Sequence, residues 1–145
     1  AKEYIEQYLT EYSGVKKFMD KSIEFAKQNG FAETMFKRKR KINELSSNNY
    51  MVRQFGERAA MNTPVQGTAA DIMKIAMIKV YNELKKRNLK SKIVLQVHDE
   101  MMIEAPKDEE NVVKDILKQC MESAAKLDVP LIADVSEAEN WYECK

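Results

Sequence analysis

The sequence predicts an α+β fold, in which helices accompany an antiparallel sheet that they cover on one face. Apolar residues recur at helical spacing in five segments of the chain. Two short apolar runs, "KIVLQV" and "EMMIEA", are separated by only two residues, so they form a tight antiparallel hairpin. The composition, 44% apolar and 32% charged, is typical of a globular chain, and no apolar run is long enough to cross a bilayer.

The first half of the chain is predicted to begin with two helices. The opening helix carries Tyr4, Ile5, Tyr8 and Leu9 on one face and stops before "YSGV". The second has Ser13 as its N-cap and ends at Gly30, which suits the left-handed position. Its buried face is predicted to consist of Val15, Phe18, Met19, Ile23 and Ala26.

A basic hairpin is predicted to follow in "FAETMFKRKRKINEL". Two short β-capable flanks surround the five consecutive cations Lys37–Lys41, which are expected to form its tip. This tip faces either solvent or a phosphate. Solvated basic loops are common, so the run of cations indicates a function only if its partner is a phosphate.

Two further helices surround "TPVQG". The third helix is predicted from about Asn49 to Met61, with Pro64 ending it. The fourth begins after "TPVQG", and from Ile72 to Leu84 it is apolar on nearly every side. A helix of this composition is expected at the centre of a core.

The last third of the chain supplies the predicted sheet. Strands Lys92–Val97 and Glu100–Ala105 form the hairpin, and "PLIADVSE" is a predicted final strand before the tail "NWYECK". Between them "KDEENVVKDILKQCMESAAK" is predicted to be an amphipathic helix with acids in its first turn. Its inward residues are predicted to be Val112, Val113, Ile116, Leu117, Cys120, Met121 and Ala124.

Charge is divided unevenly along the chain. Residues 1–60 carry 12 Lys/Arg and 8 Asp/Glu, net +4, whereas residues 61–145 carry 12 and 15, net −3. Such a chain could hold a polyanion and a cation together. An ordinary fluctuation of surface charge is the alternative explanation, and the net charges alone favour it.

Cysteine usage and the N-terminus suggest a cytoplasmic protein. The two cysteines, Cys120 and Cys144, form neither a metal spacing nor a disulfide framework. The opening residues lack the features of a secretory signal. They also begin without Met inside an amphipathic pattern, so the chain is expected to be a piece of a longer protein.

The turn of the predicted hairpin carries three polar residues, His98, Asp99 and Glu100. Asp99 could be only a turn residue and Glu100 only a strand-edge charge. Adjacent carboxylates on a rigid strand pair are also suited to Mg²⁺. His98 could be a general base or a hydrogen-bond donor. Zinc has little support because the chain has no second His, and no Ser–His pair indicates nucleophilic catalysis.

A second polar set surrounds "TPVQG". Arg58 and Asn62 are four residues apart and share a helix face, and Gln66 follows just past the predicted break. Such donors could probe the DNA minor groove, where A·T and G·C pairs place acceptors similarly. Their chemistry alone favours a plainer interpretation, in which they are a solvated Arg, a turn Asn and a capping Gln.

Together and in this order, these segments resemble the C-terminal part of family A DNA polymerases, the bacterial DNA polymerase I group. "GERAAMNTPVQGTAADIMKIAMIKVYNEL" resembles the passage from fingers to palm, and "QVHDE" resembles the second catalytic motif of the palm. "YSGVKKFMDKSIEFAKQNGFAETMF" and "KLDVPLIADVSEAENWYECK" resemble the late fingers and the end of the chain. Ser13, in place of a common Pro, and "KINEL" depart from the family pattern on loops.

The resemblance implies roles for individual residues. Asp99 would bind the two catalytic Mg²⁺ ions, Glu100 would support the site, and His98 would lie near the primer terminus. The family's reaction is attack of a primer 3′-hydroxyl on the α-phosphorus of a dNTP, assisted by these ions. Residues implied to contact primer–template DNA are Arg58, Asn62, Gln66, Lys37, Arg38, Lys39 and Arg40.

The resemblance also implies subdomains and missing parts. Residues 1–46 would be late fingers, and residues 47–145 the C-terminal part of the palm. The other palm aspartate motif and the nucleotide-binding fingers helix of the family have no counterpart in this sequence. The intact protein is therefore predicted to be a monomeric DNA polymerase, and this chain alone to be inactive. Two alternatives are a stand-alone duplex DNA-binding module and a purely structural piece.

Overall fold

The computed structural model describes residues 2–144 and divides the chain into two compact units, Ala1–Ala69 and Ala70–Lys145. Helix α3 (Tyr50–Asn62) packs on helix α2 (Ser13–Asn29) and so lies in the first unit. No charged residue occurs between positions 61 and 69, so the net charges of +4 and −3 are also those of the two units. The predicted α+β class is confirmed.

The first unit contains helix α1 (Lys2–Glu11), α2, a two-stranded sheet of β1 (Phe31–Glu33) and β2 (Lys39–Lys41), a 3₁₀ turn (Asn43–Ser46) and α3. Gly30 ends α2 at φ 74°, as predicted, and its N–H donates to the carbonyl of Ala26. Ser13 is not an N-cap. It already lies in the helix, because only Tyr12 separates α1 from α2 and the N–H of Tyr12 still bonds the carbonyl of Tyr8.

The basic run does not lie wholly at the tip of its hairpin. Lys39–Lys41 form strand β2 and pair with Phe31–Glu33, so only Lys37 and Arg38 remain in the turn. The turn is closed by the N–H of Lys37, which donates to the carbonyl of Thr34. Strand pairing therefore divides the basic run between the connection and β2.

Pro64 does not end the helical path. Thr63–Gly67 form a π-helical turn that continues from α3 into helix α4 (Thr68–Lys86). A proline lacks the N–H of an α-helix and its ring collides with the carbonyl four residues earlier. The wider π turn accommodates this ring. Just before it, the carbonyl of Ala59 accepts hydrogen bonds from both the N–H and the hydroxyl of Thr63.

The second unit contains most of α4, strands β3 (Lys92–Val97) and β4 (Glu100–Glu104), helix α5 (Glu110–Glu122) and a 3₁₀ turn (Trp141–Cys144). The predicted tight hairpin is confirmed. Its register shifts once, because Ile93 pairs with Ile103 while Leu95 pairs with Met102. Val94 is thus the extra residue of a β-bulge, a feature that bends a strand and increases its twist.

One core cluster joins α4, β4 and α5 within the second unit. Its buried residues are Met73, Ala76, Val80, Leu84, Met101, Val113, Ile116, Cys120 and Ala124. The predicted inward face of α5 is confirmed. Helix α4 is covered on one side only, since Ile78 and Tyr81 are 61% and 57% exposed, so the prediction of a fully central helix is wrong.

The final predicted strand is absent. Residues 130–138 form no strand, and the N–H of Ala133 donates to the carboxylate of Glu122. A strand requires a neighbouring strand with which its backbone can pair. This segment is instead attached to α5, partly through the ion pair between Lys114 and Glu137.

The helical stripes of the N-terminal region are less buried than their periodicity predicts. Both helices exist as expected, yet Tyr4, Tyr8 and Phe18 are exposed and Ala26 is the buried residue of α2. Across residues 2–144, every helix is too short or too polar to span a membrane.

Candidate functional site

The β3–β4 hairpin presents its polar residues at an exposed tip. His98 and Asp99 form the two-residue turn, and Glu100 is the first residue of β4. The next residue, Met101, is 8% exposed and lies in the core. Because successive side chains of a strand point to opposite faces, a buried Met101 directs Glu100 outward.

The turn itself adopts a backbone conformation that is uncommon for its residues. His98 has φ 52°, in the left-handed region, which costs a non-glycine residue about 1–2 kcal/mol. The side-chain amide of Gln96 donates to the carbonyl of His98 over 2.7 Å and holds the turn from the strand below. Strained positions of this kind are concentrated at functional sites.

The base of the same hairpin is clamped by a buried carboxylate. Glu109, the N-cap residue of α5, accepts hydrogen bonds from the backbone N–H groups of Lys90 and Ser91 and from the Ser91 hydroxyl. These bonds, that of Lys90 foremost, hold the pKa of the Glu109 carboxyl below its usual value. The clamp fixes the start of β3 to the beginning of α5.

The acids at the tip suit a hard divalent cation but do not enclose one. Asp99 and Glu100 are both exposed and offer carboxylate oxygens, the ligands that Mg²⁺ prefers. Among residues 2–144, no group of three or more His, Cys, Asp or Glu residues could hold a metal ion. The tip is therefore an incomplete metal site that would need oxygen ligands from elsewhere.

The predicted groove-reading residues lie on one continuous helical path. Arg58 and Asn62 belong to α3, and Gln66 belongs to the π turn that continues it. All three side chains are exposed. The predicted break between Asn62 and Gln66 is wrong, and the continuous backbone holds the three donors at a regular spacing of four residues.

A basic cleft of about 260 Å³ in the first unit brings two of the predicted sets together. The β1–β2 hairpin contributes Arg38, Lys39 and Arg40 to its lining, and the π turn contributes Gln66 and Gly67. Thr34 and Thr63 supply hydroxyl groups. The guanidinium of Arg38 donates to the carbonyl of Gly67 over 3.1 Å and links the two walls.

Lys37 is placed differently from the three cations that line the cleft. Its ammonium group lies 3.0 Å from the carboxylate of Glu33, outside the lining of the cleft. Lys39 lies 4.4 Å above the centre of the Phe31 ring, so its charge is held beside the strand. These cations are consecutive in the sequence. In the structure, Lys37 and Arg38 precede β2, whereas Lys39–Lys41 pair within it.

Several residues that build these sites were missed by sequence reasoning. Gly67 and Thr34 meet where the hairpin approaches the π turn, since a Cβ at Gly67 would lie 2.7 Å from the Thr34 methyl group. Glu109 looks in the sequence like one more acid in a helix's first turn. Gly67 could have been identified from the sequence, because it is a glycine directly before a long helix. The bulge at Val94 has no comparable signal in the sequence.

Comparison with known proteins gives one consistent result. The family model for DNA polymerase family A matches residues 1–143. The chain is 54% identical over its whole length to DNA polymerase I of Caldicellulosiruptor bescii, and 50% identical over 143 residues to that of Borreliella burgdorferi. It spans 17% and 16% of the length of these two relatives.

A solved structure has the same fold. The polymerase domain of Pol1 from M. smegmatis, in complex with DNA primer-template and dNTP, matches with a TM-score of 0.86 at 41% identity. The match covers 90% of this chain and 23% of that one. Since the family model covers nearly the entire sequence, this chain belongs to DNA polymerase family A.

Proposed function

We propose that the intact protein is a DNA-directed DNA polymerase and that this chain supplies its late fingers, residues 1–46, and the C-terminal part of its palm, residues 47–145. The observation that carries the proposal is the rigid hairpin that exposes Asp99 and Glu100 in a chain of this family. The reaction would be attack of a primer 3′-hydroxyl on the α-phosphorus of a dNTP, with pyrophosphate leaving. Primer–template DNA and dNTPs are the proposed partners, as in the complex of the M. smegmatis relative.

Asp99 and Glu100 would hold the catalytic Mg²⁺ together with an aspartate from the remainder of the protein. Their oxygen donors and exposure fit this ion, which is commonly bound by one or two carboxylates plus substrate phosphates. When bound, Mg²⁺ supplies Lewis-acid stabilisation of phosphoryl oxygens. The bulge at Val94, the Gln96 bond and the Glu109 clamp would keep the two carboxylates in a fixed position.

His98 would lie near the primer terminus. Its left-handed backbone lets the turn close in two residues, so that Asp99 and Glu100 follow immediately at the tip. The exposed imidazole is then available to donate a hydrogen bond to the primer.

Arg58, Asn62 and Gln66 would contact template and primer through the minor groove. Each side chain can donate hydrogen bonds, and the groove presents acceptors at equivalent places on every base pair. Lys37, Arg38, Lys39 and Arg40 would add attraction to backbone phosphates. The regular spacing of the three donors along α3 and the π turn supports a common DNA surface.

The isolated chain is proposed to be inactive. Its two hairpin acids do not make a complete metal site among residues 2–144. The intact protein is proposed to act as a monomer in the bacterial cytoplasm.

A chimaera tests this function. The matching segment of the C. bescii relative, which is 54% identical, is replaced by this chain and primer extension is measured. Asp99→Asn should reduce the extension rate by at least about 10³-fold, because loss of a metal carboxylate removes several kcal/mol of transition-state stabilisation. The dissociation constant for primer–template should change by less than about threefold, since the carboxylate acts on metal rather than on DNA.

Asp128→Asn is the matched control, because Asp128 is exposed and lies outside the hairpin. It should extend primers at the rate of the unchanged chimaera. A near-normal rate for Asp99→Asn, or an inactive chimaera with the unchanged segment, would count against the proposed function.

The basic cleft favours one alternative, a DNA-binding module without catalysis. That function requires the chain to bind duplex DNA and the chimaera with the unchanged segment to be unable to extend primers. The same pair of measurements therefore separates the two.

A further inference from the structure

We propose that Thr68 is a positioning residue for Gln66, because its hydroxyl joins the π turn to the β1–β2 hairpin and keeps the turn in one arrangement. Thr68 is the first residue of α4, is partly buried and lies in the first unit, two positions after Gln66. The inference rests on the proposed function, in which Gln66 contacts template and primer. Thr68 acts through the turn and not by contact with DNA.

The hydroxyl of Thr68 forms two hydrogen bonds, one within the turn and one to the hairpin. It donates to the carbonyl of Pro64 and accepts from the backbone N–H of Met35 over 2.9 Å. Met35 lies in the connection between β1 and β2. A hydroxyl has one donor proton and two acceptor lone pairs, so both bonds can form at once. One oxygen atom therefore ties the π turn to the hairpin.

Pro64 alone does not determine the shape of this turn. A helix that meets a proline can end, kink or widen. In an α-helix the N–H of Thr68 would bond the carbonyl of Pro64, four residues earlier. Here that N–H donates to the carbonyl of Val65, and the Thr68 hydroxyl donates to the Pro64 carbonyl instead. The side chain thus replaces a backbone bond of the regular helix and favours the widened turn.

The residue between Gln66 and Thr68 is held by the same hairpin. The guanidinium of Arg38 donates to the carbonyl of Gly67 over 3.1 Å. A Cβ at Gly67 would lie 2.7 Å from the methyl group of Thr34, so the two backbones approach closely there. The hairpin therefore contacts two consecutive residues at the end of the turn, and the exposed Gln66 directly precedes them.

The direction of the Gln66 side chain depends on the turn remaining π-helical. Hydrogen bonds of a π turn span five residues, whereas those of an α turn span four. Conversion between them shifts the register by one residue, which is about 100° around the helix axis. Such a shift would change the position of the Gln66 amide relative to Arg58 and Asn62. Without the Thr68 hydroxyl, we expect the amide to be misplaced.

The first test measures primer extension by the chimaera that carries this chain in the C. bescii polymerase. Thr68→Val keeps the shape of the side chain without its hydroxyl and should lower kcat/KM for primer–template about tenfold, because two hydrogen bonds are lost. Thr68→Ser keeps the hydroxyl and should retain the unchanged value. Thr10→Val is the matched control, since the Thr10 hydroxyl also donates to a carbonyl four residues earlier but lies in α1. It should have no effect.

A double variant separates the positioning of Gln66 from a merely structural contribution. Gln66→Ala removes the amide and should itself lower kcat/KM about tenfold. If Thr68 acts through Gln66, adding Thr68→Val to Gln66→Ala should cause less than about a further threefold loss, because coupled sites are not additive. Independent contributions would instead multiply to a loss of about 100-fold.

The bond to the hairpin can be measured in this chain without catalysis. Amide hydrogen exchange at Met35 should be at least about tenfold faster in Thr68→Val than in the unchanged chain or in Thr68→Ser, because the N–H loses its acceptor. Thr10→Val should leave this exchange rate unchanged. Thr68→Ala also lacks the hydroxyl and has a higher helix propensity, so it replaces Thr68→Val if that variant does not fold.

Four results would overturn the positioning role of Thr68. They are an unchanged kcat/KM in the variant without the hydroxyl, an equal loss in Thr68→Ser, an additive double variant, and unchanged exchange of the Met35 amide. An inactive Asp99→Asn chimaera together with a fully active Thr68→Val chimaera would refute the role of Thr68 and leave the proposed function intact. If the unchanged chimaera is inactive, the proposed function fails, and amide exchange still tests the Thr68 bonds.

Discussion

The buried core of the first unit consists of Ala26, Ala32, Ala60 and Ile42, whereas that of the second contains larger side chains such as Val80, Met101 and Ile116. Small residues allow backbones to approach closely, as Gly56 does at the 3₁₀ turn and Gly67 at the hairpin. Large residues fill the space between elements by interdigitating. One unit is therefore sensitive to added volume and the other to lost volume.

The candidate sites of the two units also differ, in how fully this chain encloses them. The basic cleft of the first unit is lined on both sides by residues of this chain, and its walls are joined by the bond between Arg38 and Gly67. The acid hairpin of the second unit ends at an exposed tip with two carboxylates. The chain therefore supplies both walls of the cleft, whereas the two carboxylates at the hairpin tip do not enclose a cation.

The largest loss of stability is expected when side-chain volume is removed from the core of the second unit. Ile116→Ala should lower the free energy of unfolding by about 2–5 kcal/mol, because it leaves a cavity between α4 and α5. Denaturant titration of the isolated chain measures it. Ile132→Ala removes the same atoms from a side chain that is 74% exposed and should change stability by less than about 0.5 kcal/mol. Equal effects would mean that the core cluster does not stabilise this unit.

Side-chain volume added in the first unit should cause the next largest loss of stability. A Cβ at Gly56 would lie 3.0 Å from the backbone nitrogen of Leu45, so Gly56→Ala should destabilise the chain by about 1–3 kcal/mol. Gly14→Ala is the matched control, since a Cβ there meets nothing within 4 Å. It should stabilise α2 by up to about 1 kcal/mol. Thermal unfolding of both variants checks the sign, and stabilisation by Gly56→Ala would be the contrary outcome.

A pH-dependent effect should follow from the Glu109 clamp. Because the pKa of the folded Glu109 carboxyl is depressed, its contribution to stability is present above the ordinary value of 4.5 and is lost as pH falls through the folded pKa. Glu109→Gln should therefore destabilise the chain at pH 7 and make little difference in strong acid. Unfolding by urea across this pH range measures the difference, and Glu104→Gln, at an exposed strand end, is the control.

The last prediction concerns the rates at which the two thiols are labelled and involves no change in stability. Burial raises the pKa of Cys120, which lies in the core of the second unit, whereas Cys144 is partly exposed. A thiol-specific reagent should label Cys144 first and Cys120 only on unfolding. Cys144→Ser should remove the fast phase of labelling. A fast phase that persists in that variant would show that the second core is open.

Local patterns predicted most elements, because helical spacing, the Gly30 cap and the two-residue turn are determined by neighbouring residues. Errors arose where a distant group decides the outcome. "PLIADVSE" has strand composition, yet Ala133 bonds to Glu122 and no strand forms there. Helix α4 is apolar on most sides, but composition does not state which of those sides other elements cover, and Ile78 is exposed.

The candidate sites were predictable to different degrees. The hairpin acids and the row of Arg58, Asn62 and Gln66 could be identified from motifs, because each set is local in sequence. The cleft could not, since Gln66 and Arg40 are joined only by the approach of the hairpin to the π turn. The prediction that Pro64 ends the third helix was wrong for the same reason. Formation of a π turn depends on packing that the residues next to Pro64 do not reveal.

We propose that this chain contacts primer–template DNA and supplies only part of a polymerase metal site. Primer extension by the isolated chain, at a concentration at which anisotropy shows the primer–template to be saturated, with Mg²⁺ and all dNTPs present, tests it most directly. We expect bound DNA without extension, while the chimaera with the C. bescii polymerase extends the same primer. Extension by the isolated chain would contradict it.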